Sequence, residues 1–204
     1  MSESSREPAK DRMILPVTPQ ADTRARRFEH DVRRERNREY AVIIDNESGR
    51  VVGSRIRGER AIIQFTDEQL RSMYGRILSH NHPDGWRYPE TDPRRQGAGF
   101  SDYDARMLAD WGLAEIRAVT PAYLYRLRPP ADPASHYFHS VLGASSWAIK
   151  DAVDRAFDMA DQHLVSLVAT GAIAPEAYDV LINHEAMLRL AQDWGVLYER
   201  EVLP

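Results

Sequence analysis

Ala21, Ala25, Phe28 and Val32 repeat at a spacing of three and four, which predicts an amphipathic helix over about 21–37. Its polar side is crowded with arginines, Arg24, Arg26, Arg27, Arg33, Arg34 and Arg36. From Tyr40 the period shortens to that of strands. Tyr40–Ile44, Arg50–Ile56 and Arg60–Phe65 are rich in β-branched residues and are separated by turns at Asn46–Gly49 and Arg57–Glu59, which predicts a β-meander. Thr66 with Gln69 reads as a capping box for a short helix to about Tyr74, ended by Gly75. Ile77 and Leu78 lead a strand into His80. Ser101 opens a helix to about Trp111, closed by Gly112, and 115–120 with 123–128 reads as a hairpin around Pro121-Ala122. After Pro129-Pro130 the pattern predicts helix to the end. Ile149, Val153, Phe157, Ala160, Leu164 and Leu167 form one apolar stripe capped by Gly171, and a second helix runs from Pro175 to near Gly195.

These elements predict an α/β (α+β) fold: a mixed sheet with flanking helices, an N-terminal helix and a C-terminal helical pair. The expected organisation is a loose N-terminal arm at 1–20, a core at 21–130 and a helical extension packed on it at 131–204. The arm is polar and charged without periodicity.

Composition narrows the chemistry. The chain has 204 residues, 43% of them hydrophobic, enough for one packed domain, and its formal charge of −4 names no partner. There is no cysteine, so disulfides and thiolate ligands are excluded and any transition-metal site must use histidine and carboxylate. No run of about 18 apolar residues suggests a membrane span. The first residues carry no apolar leader segment, so a cytoplasmic location is expected. The arginine-rich helix allows two readings, a nucleic-acid patch or a solvated face paired with Glu29, Asp31 and Glu35. Mixed charge favours the second, so nucleic acid is not an expected partner.

The sharpest chemical signal is His80-Asn81-His82-Pro83 followed by Ser101-Asp102-Tyr103-Asp104. Histidines one residue apart on a strand face the same side. A carboxylate from the first turn of the next helix can complete a three-ligand site and leave a fourth position open for water, as catalytic zinc requires. Pro83 stops the strand directly after the second histidine. Ser101 with Asp104 is also a plain helix cap, and the two readings are compatible.

The pattern of Glu39, then His80-Asn81-His82-Pro83, then Ser101-Asp102-Tyr103-Asp104 resembles the JAMM (JAB, MPN-plus) metallopeptidase family. The His-Asn-His-Pro form looks most like the RadC branch and the JAB domains of phage and toxin proteins. The likeness covers Phe28 to Leu127 well and the C-terminal helices loosely. It implies a JAMM-like curved mixed sheet, with His80, His82 and Asp104 as ligands of Zn2+. It implies Glu39 as the acid/base beside the metal's water and Ser101 as a donor to the scissile carbonyl oxygen. The implied activity is zinc-dependent hydrolysis of an amide bond, as a peptidase or isopeptidase. The implied partner is a peptide or protein substrate, with ubiquitin-like modifiers within the class. A phage-associated or RadC-like accessory protein with a metal site and little turnover is the alternative.

Several features remain open at this level. Glu39 beside Arg38 also reads as a solvated strand-end charge. The spacer Asp84 to Phe100, seventeen residues, is longer than the family's usual short one. It is either a substrate-facing insertion or a tolerated loop expansion. His136 and His139 form an isolated pair, and His30, His163 and His184 lie on predicted helices. Trp147, Trp194 and Tyr198 read as packing anchors.

Overall fold

The strand Tyr40–Ile44 (β1) pairs antiparallel with Ile77–Asn81 (β3), and β3 pairs parallel with Glu115–Val119 (β4). That parallel step needs a crossover, supplied by the helix Asp102–Trp111 (α3). Tyr123–Arg128 (β5) returns antiparallel beside β4, as the hairpin pattern predicts. The two-residue strand Ile56–Arg57 (β2) lies outside β1, and Leu197–Val202 (β6) closes the other edge. The order is β2-β1-β3-β4-β5-β6, a mixed six-stranded sheet in an α+β fold. The computed structural model describes residues 14–204; most of the expected arm, Met1 to Met13, lies outside the described residues.

Strand alternation divides the core. One face presents Ala41, Ile43, Leu78, Ile116, Ala118, Tyr125 and Leu127 to α3 and the helices Ser146–Ala169 (α4) and Pro175–Trp194 (α5). The other presents Val42, Ile44, Ile77, Val119 and Leu124 to the helix Pro19–Val32 (α1). The apolar cluster on the first face runs from Ala41 to Val196, so α4 and α5 share the core of the strands. No helix among the described residues is long and apolar enough to cross a membrane.

Three expectations need correction. The N-terminal helix ends at Val32, not near residue 37, because tertiary contacts capture the next residue. The Arg33 guanidinium donates to Pro121 O, and its carbonyl accepts from Trp86 Nε1. The meander is largely absent. Only β1 is a full strand, β2 has two residues, Val51 makes one bridge to Ile44, and 60–65 pairs with nothing in the sheet. Gly58 turns the chain back so tightly that a Cβ there would sit 2.5 Å from Ile62 O. The end of the chain is not helical throughout. Gly195, at φ 70°, stops α5 in the left-handed conformation, and β6 then pairs along all of β5. The helix after Thr66 (Asp67–Arg71, α2) has the expected capping box and is a turn shorter than predicted.

Candidate metal centre

The register of the sheet assembles the site. Ala41 pairs with His80, so the antiparallel register continued outward sets Glu39 opposite His82. Glu39, His80 and His82 thus share the face covered by α3. β3 is held on both sides, by β1 and β4, and His82 N–H donates to Val119 O at 2.9 Å just past its end. Asp104 is the third residue of α3. Ser101 caps that helix: Asp104 N–H donates to Ser101 Oγ at 3.2 Å, and Ser101 N–H donates back to Asp104 Oδ2 at 2.8 Å. Site and cap therefore use the same residues.

The three predicted ligands meet. His80 Nε2 and His82 Nε2 face each other at 2.9 Å, His80 Nε2 lies 3.1 Å from Asp104 Oδ1, and His82 Nε2 lies 3.5 Å from Asp104 Oδ2. A tetrahedral zinc with bonds of about 2.0–2.1 Å holds its ligands about 3.3–3.4 Å apart, so such an ion fits once the two imidazoles move apart by a few tenths of an ångström. Among the described residues, His80, His82 and Asp104 form the group of histidine and acidic side chains whose ligand atoms converge in this way. The group can hold a metal ion. His82 Nδ1 lies 3.2 Å from Ala98 O, which fixes Nδ1 as the protonated nitrogen and leaves Nε2 free as a ligand. His80 Nδ1 is buried without a hydrogen-bond partner.

The electrostatics favour a cation. Burial works to raise the Asp104 carboxyl, but the two imidazoles overcome it and hold Asp104 well below the usual carboxylate range. Burial would depress His82, yet the hydrogen bond and charge of Asp104, with the charge of Glu39, raise it to about 9.

Beside the ligands opens a cleft of about 730 Å³. Glu39, Ser101 and the three ligands line it, with Ile62, Ile63, Phe65 and Tyr103 among its apolar walls. The segment that left the predicted meander is one of those walls. Glu39 is buried rather than solvated at a strand end, and burial pushes its carboxyl up against the pull of His82 and His80. The Ser101 hydroxyl donates to Asp104 Oδ2 at 2.8 Å, so its single proton is directed at that carboxylate.

The long spacer is a built loop. Trp86 Nε1 donates to Arg33 O at 2.8 Å, and Arg95 stacks over the Trp86 ring at 4.2 Å. Gln96 O accepts from Thr120 Oγ1, and Gly99 O accepts from Asn183 Nδ2. The same loop supplies Ala98 O to His82, a contact no sequence signal announced.

The remaining histidines stay apart from the centre. His136 and His139 are exposed. His163 pairs with Glu185, His184 lies 2.8 Å from Tyr198 Oη, and His30 is on the surface. Trp194 is a packing anchor as expected, but Trp147 is 74% exposed and is not. Glu29, expected on the solvated helix face, is buried against Ser79 and Arg117.

No protein-family model, curated protein or solved structure matches the chain.

Proposed function

We propose that the protein is a zinc-dependent metallohydrolase that cleaves an amide bond, in a peptide or in an isopeptide-linked protein. The observation that carries the reading is the convergence of His80 Nε2, His82 Nε2 and an Asp104 carboxylate oxygen beside an open cleft that Glu39 also lines. Two imidazoles, one carboxylate and an open position are the donor set of catalytic zinc. The resemblance of these residues to the JAMM pattern supports the same assignment.

When bound, such an ion supplies a water that loses its proton near neutral pH and a Lewis acid for the carbonyl. The chain's own residues do the rest. Glu39, with its carboxyl raised by burial, is suited to take a proton from the water and return it to the leaving amine. Ser101 orients Asp104 through its hydroxyl, and a turn about that side chain frees the proton for the substrate oxygen. The apolar walls at Ile62, Ile63 and Phe65 hold the substrate and keep bulk water away. A ubiquitin-like modifier is within the substrate class this reading allows.

The test is zinc content by elemental analysis on untagged protein, beside a folded Asp104→Ala control, followed by hydrolysis of peptide and isopeptide libraries. About one zinc per chain that falls close to zero in the control, with cleavage that needs zinc, is the expected result. A folded wild type that stays metal-free after reconstitution would overturn the reading. Bound zinc with no cleavage across the libraries would favour an accessory protein that keeps the site without turnover.

A further inference from the structure

Asn81 stands between the two histidines and does not line the cleft. By strand alternation its side chain leaves the sheet on the face opposite His80 and His82. It is 1% exposed. Its Oδ1 accepts from Tyr40 N–H at 2.7 Å, and its Nδ2 donates to Arg38 O at 3.1 Å. Those two backbone groups flank Glu39.

The geometry points to Asn81 as the positioning residue for Glu39, an inference that rests on the hydrolase reading above. The last backbone pair between β1 and β3 is Ala41 with His80. Beyond it, Tyr40 N–H and Arg38 O, which a continued ladder would bond to backbone, are met by the Asn81 side chain. One side-chain amide replaces both. A carboxamide carries its acceptor oxygen and its donor nitrogen side by side on one planar group, and Asn has a shorter reach than Gln. On the opposite side Glu39 N–H donates to Glu59 O at 2.7 Å and Glu39 O accepts from Gly58 N–H at 2.9 Å. Glu39 is therefore clamped along both edges of its backbone, which sets the direction of its carboxylate towards the cleft. Asn81 acts on the reaction through Glu39 and touches neither ligand atoms nor substrate.

The test uses full-length protein loaded with Co2+, whose visible ligand-field bands report the surroundings of the ion's open position, together with amide hydrogen exchange. In Asn81→Ala, Tyr40 N–H should exchange at least about tenfold faster, the loss of roughly one hydrogen bond, while Val42 keeps its protection. Co2+ should still bind, with bands shifted as in Glu39→Gln, and the double variant should shift no further. Should Asn81→Ala not fold, Asn81→Asp carries the same test. It keeps the size and the acceptor for Tyr40 but has no donor for Arg38 O. Wild-type bands in either variant with the ion bound would overturn the positioning role alone, as would shifts that add in the double variant. A wild type that takes up no Co2+ would remove the hydrolase reading, and this role with it.

Discussion

Ser101 has one hydroxyl proton, and it points at Asp104 while the hydroxyl oxygen caps α3. Removing the hydroxyl should therefore do two things at once. Ser101→Ala should cost about 1 kcal/mol of stability from the cap and lower metal affinity about 10–100-fold through the loosened ligand. Chelator competition and thermal unfolding on the same preparation separate the two effects. Glu39 behaves differently, because it holds no ligand. Glu39→Gln should leave metal content unchanged and reduce kcat about 10²–10⁴-fold, measured with whichever library substrate the wild type cleaves. A variant that loses metal instead would make Glu39 a structural partner of the site. These contrasts arise because one residue has its proton committed to a ligand and the other faces the open cleft.

Between α1 and the sheet lies a second polar cluster, made by charges on strand positions that face the helix. Arg117, fully buried, bonds Asp22 at 2.5 Å and Glu115 at 2.9 Å, and Arg126 bonds Glu115 at 2.6 Å. Glu29 accepts from Ser79 but lies 3.5 Å from Arg117, farther than the bonds Arg117 makes to Asp22 and Glu115. Burial raises the Glu29 carboxyl above its ordinary 4.5, with Arg117 pulling the other way. A carboxyl raised in the folded state contributes stability at low pH that is lost as pH rises through the folded value. The urea midpoint of the wild type should thus fall relative to Glu29→Gln as pH rises from about 4 towards neutrality, and the two should converge below that. An unchanged difference across the range would place the charge of Glu29 in full compensation with Arg117. The spacer loop makes an element-scale prediction too. Because Ala98 O orients His82 and Trp86 is tied to Arg33, deleting Trp86 to Gln96 should weaken metal binding about 10–100-fold rather than leave it unchanged. Isothermal titration with Zn2+ decides this.

At the scale of the whole molecule, β6 couples the end of the chain to the sheet. Tyr198 stacks on Tyr125 and lies against His184 of α5, and Glu199 and Glu201 reach Arg128 and Arg26. The strand therefore joins β5, α5 and α1. Truncation after Gly195 should uncover the hydrogen-bonding edge of β5, lower the Tm by more than about 10 °C and produce self-association through the bare edge. Sedimentation velocity beside a thermal melt would show both. A truncated chain that stays monomeric with an unchanged Tm would mean that the core on α4 and α5 suffices without the strand.

Local pattern by itself determined much of this protein. The helices of the C-terminal half, the caps at Thr66 and Ser101, the strand into His80 and the hairpin after Glu115 all follow from periodicity and capping chemistry acting over a few residues. The group that can hold a metal ion was legible for the same reason: His80 and His82 share a strand face, and Asp104 sits one turn into a capped helix. Tertiary structure alone decided the rest. The apolar stretch 60–65 has the composition of a strand but walls the cleft, since the turn at Gly58 draws it off the edge of the sheet. Leu197 to Val202 shows little burial of its own and becomes a strand because β5 offers an open edge. Glu39 also reads as a solvated charge until the register of β1 against β3 buries it opposite His82. The support from Asn81 and Ala98 is likewise invisible in sequence, because each acts on backbone or on a ring brought near by strands and loops far apart in the chain. Side-chain pattern reports what a segment buries. Which partner it meets is a property of the assembled sheet.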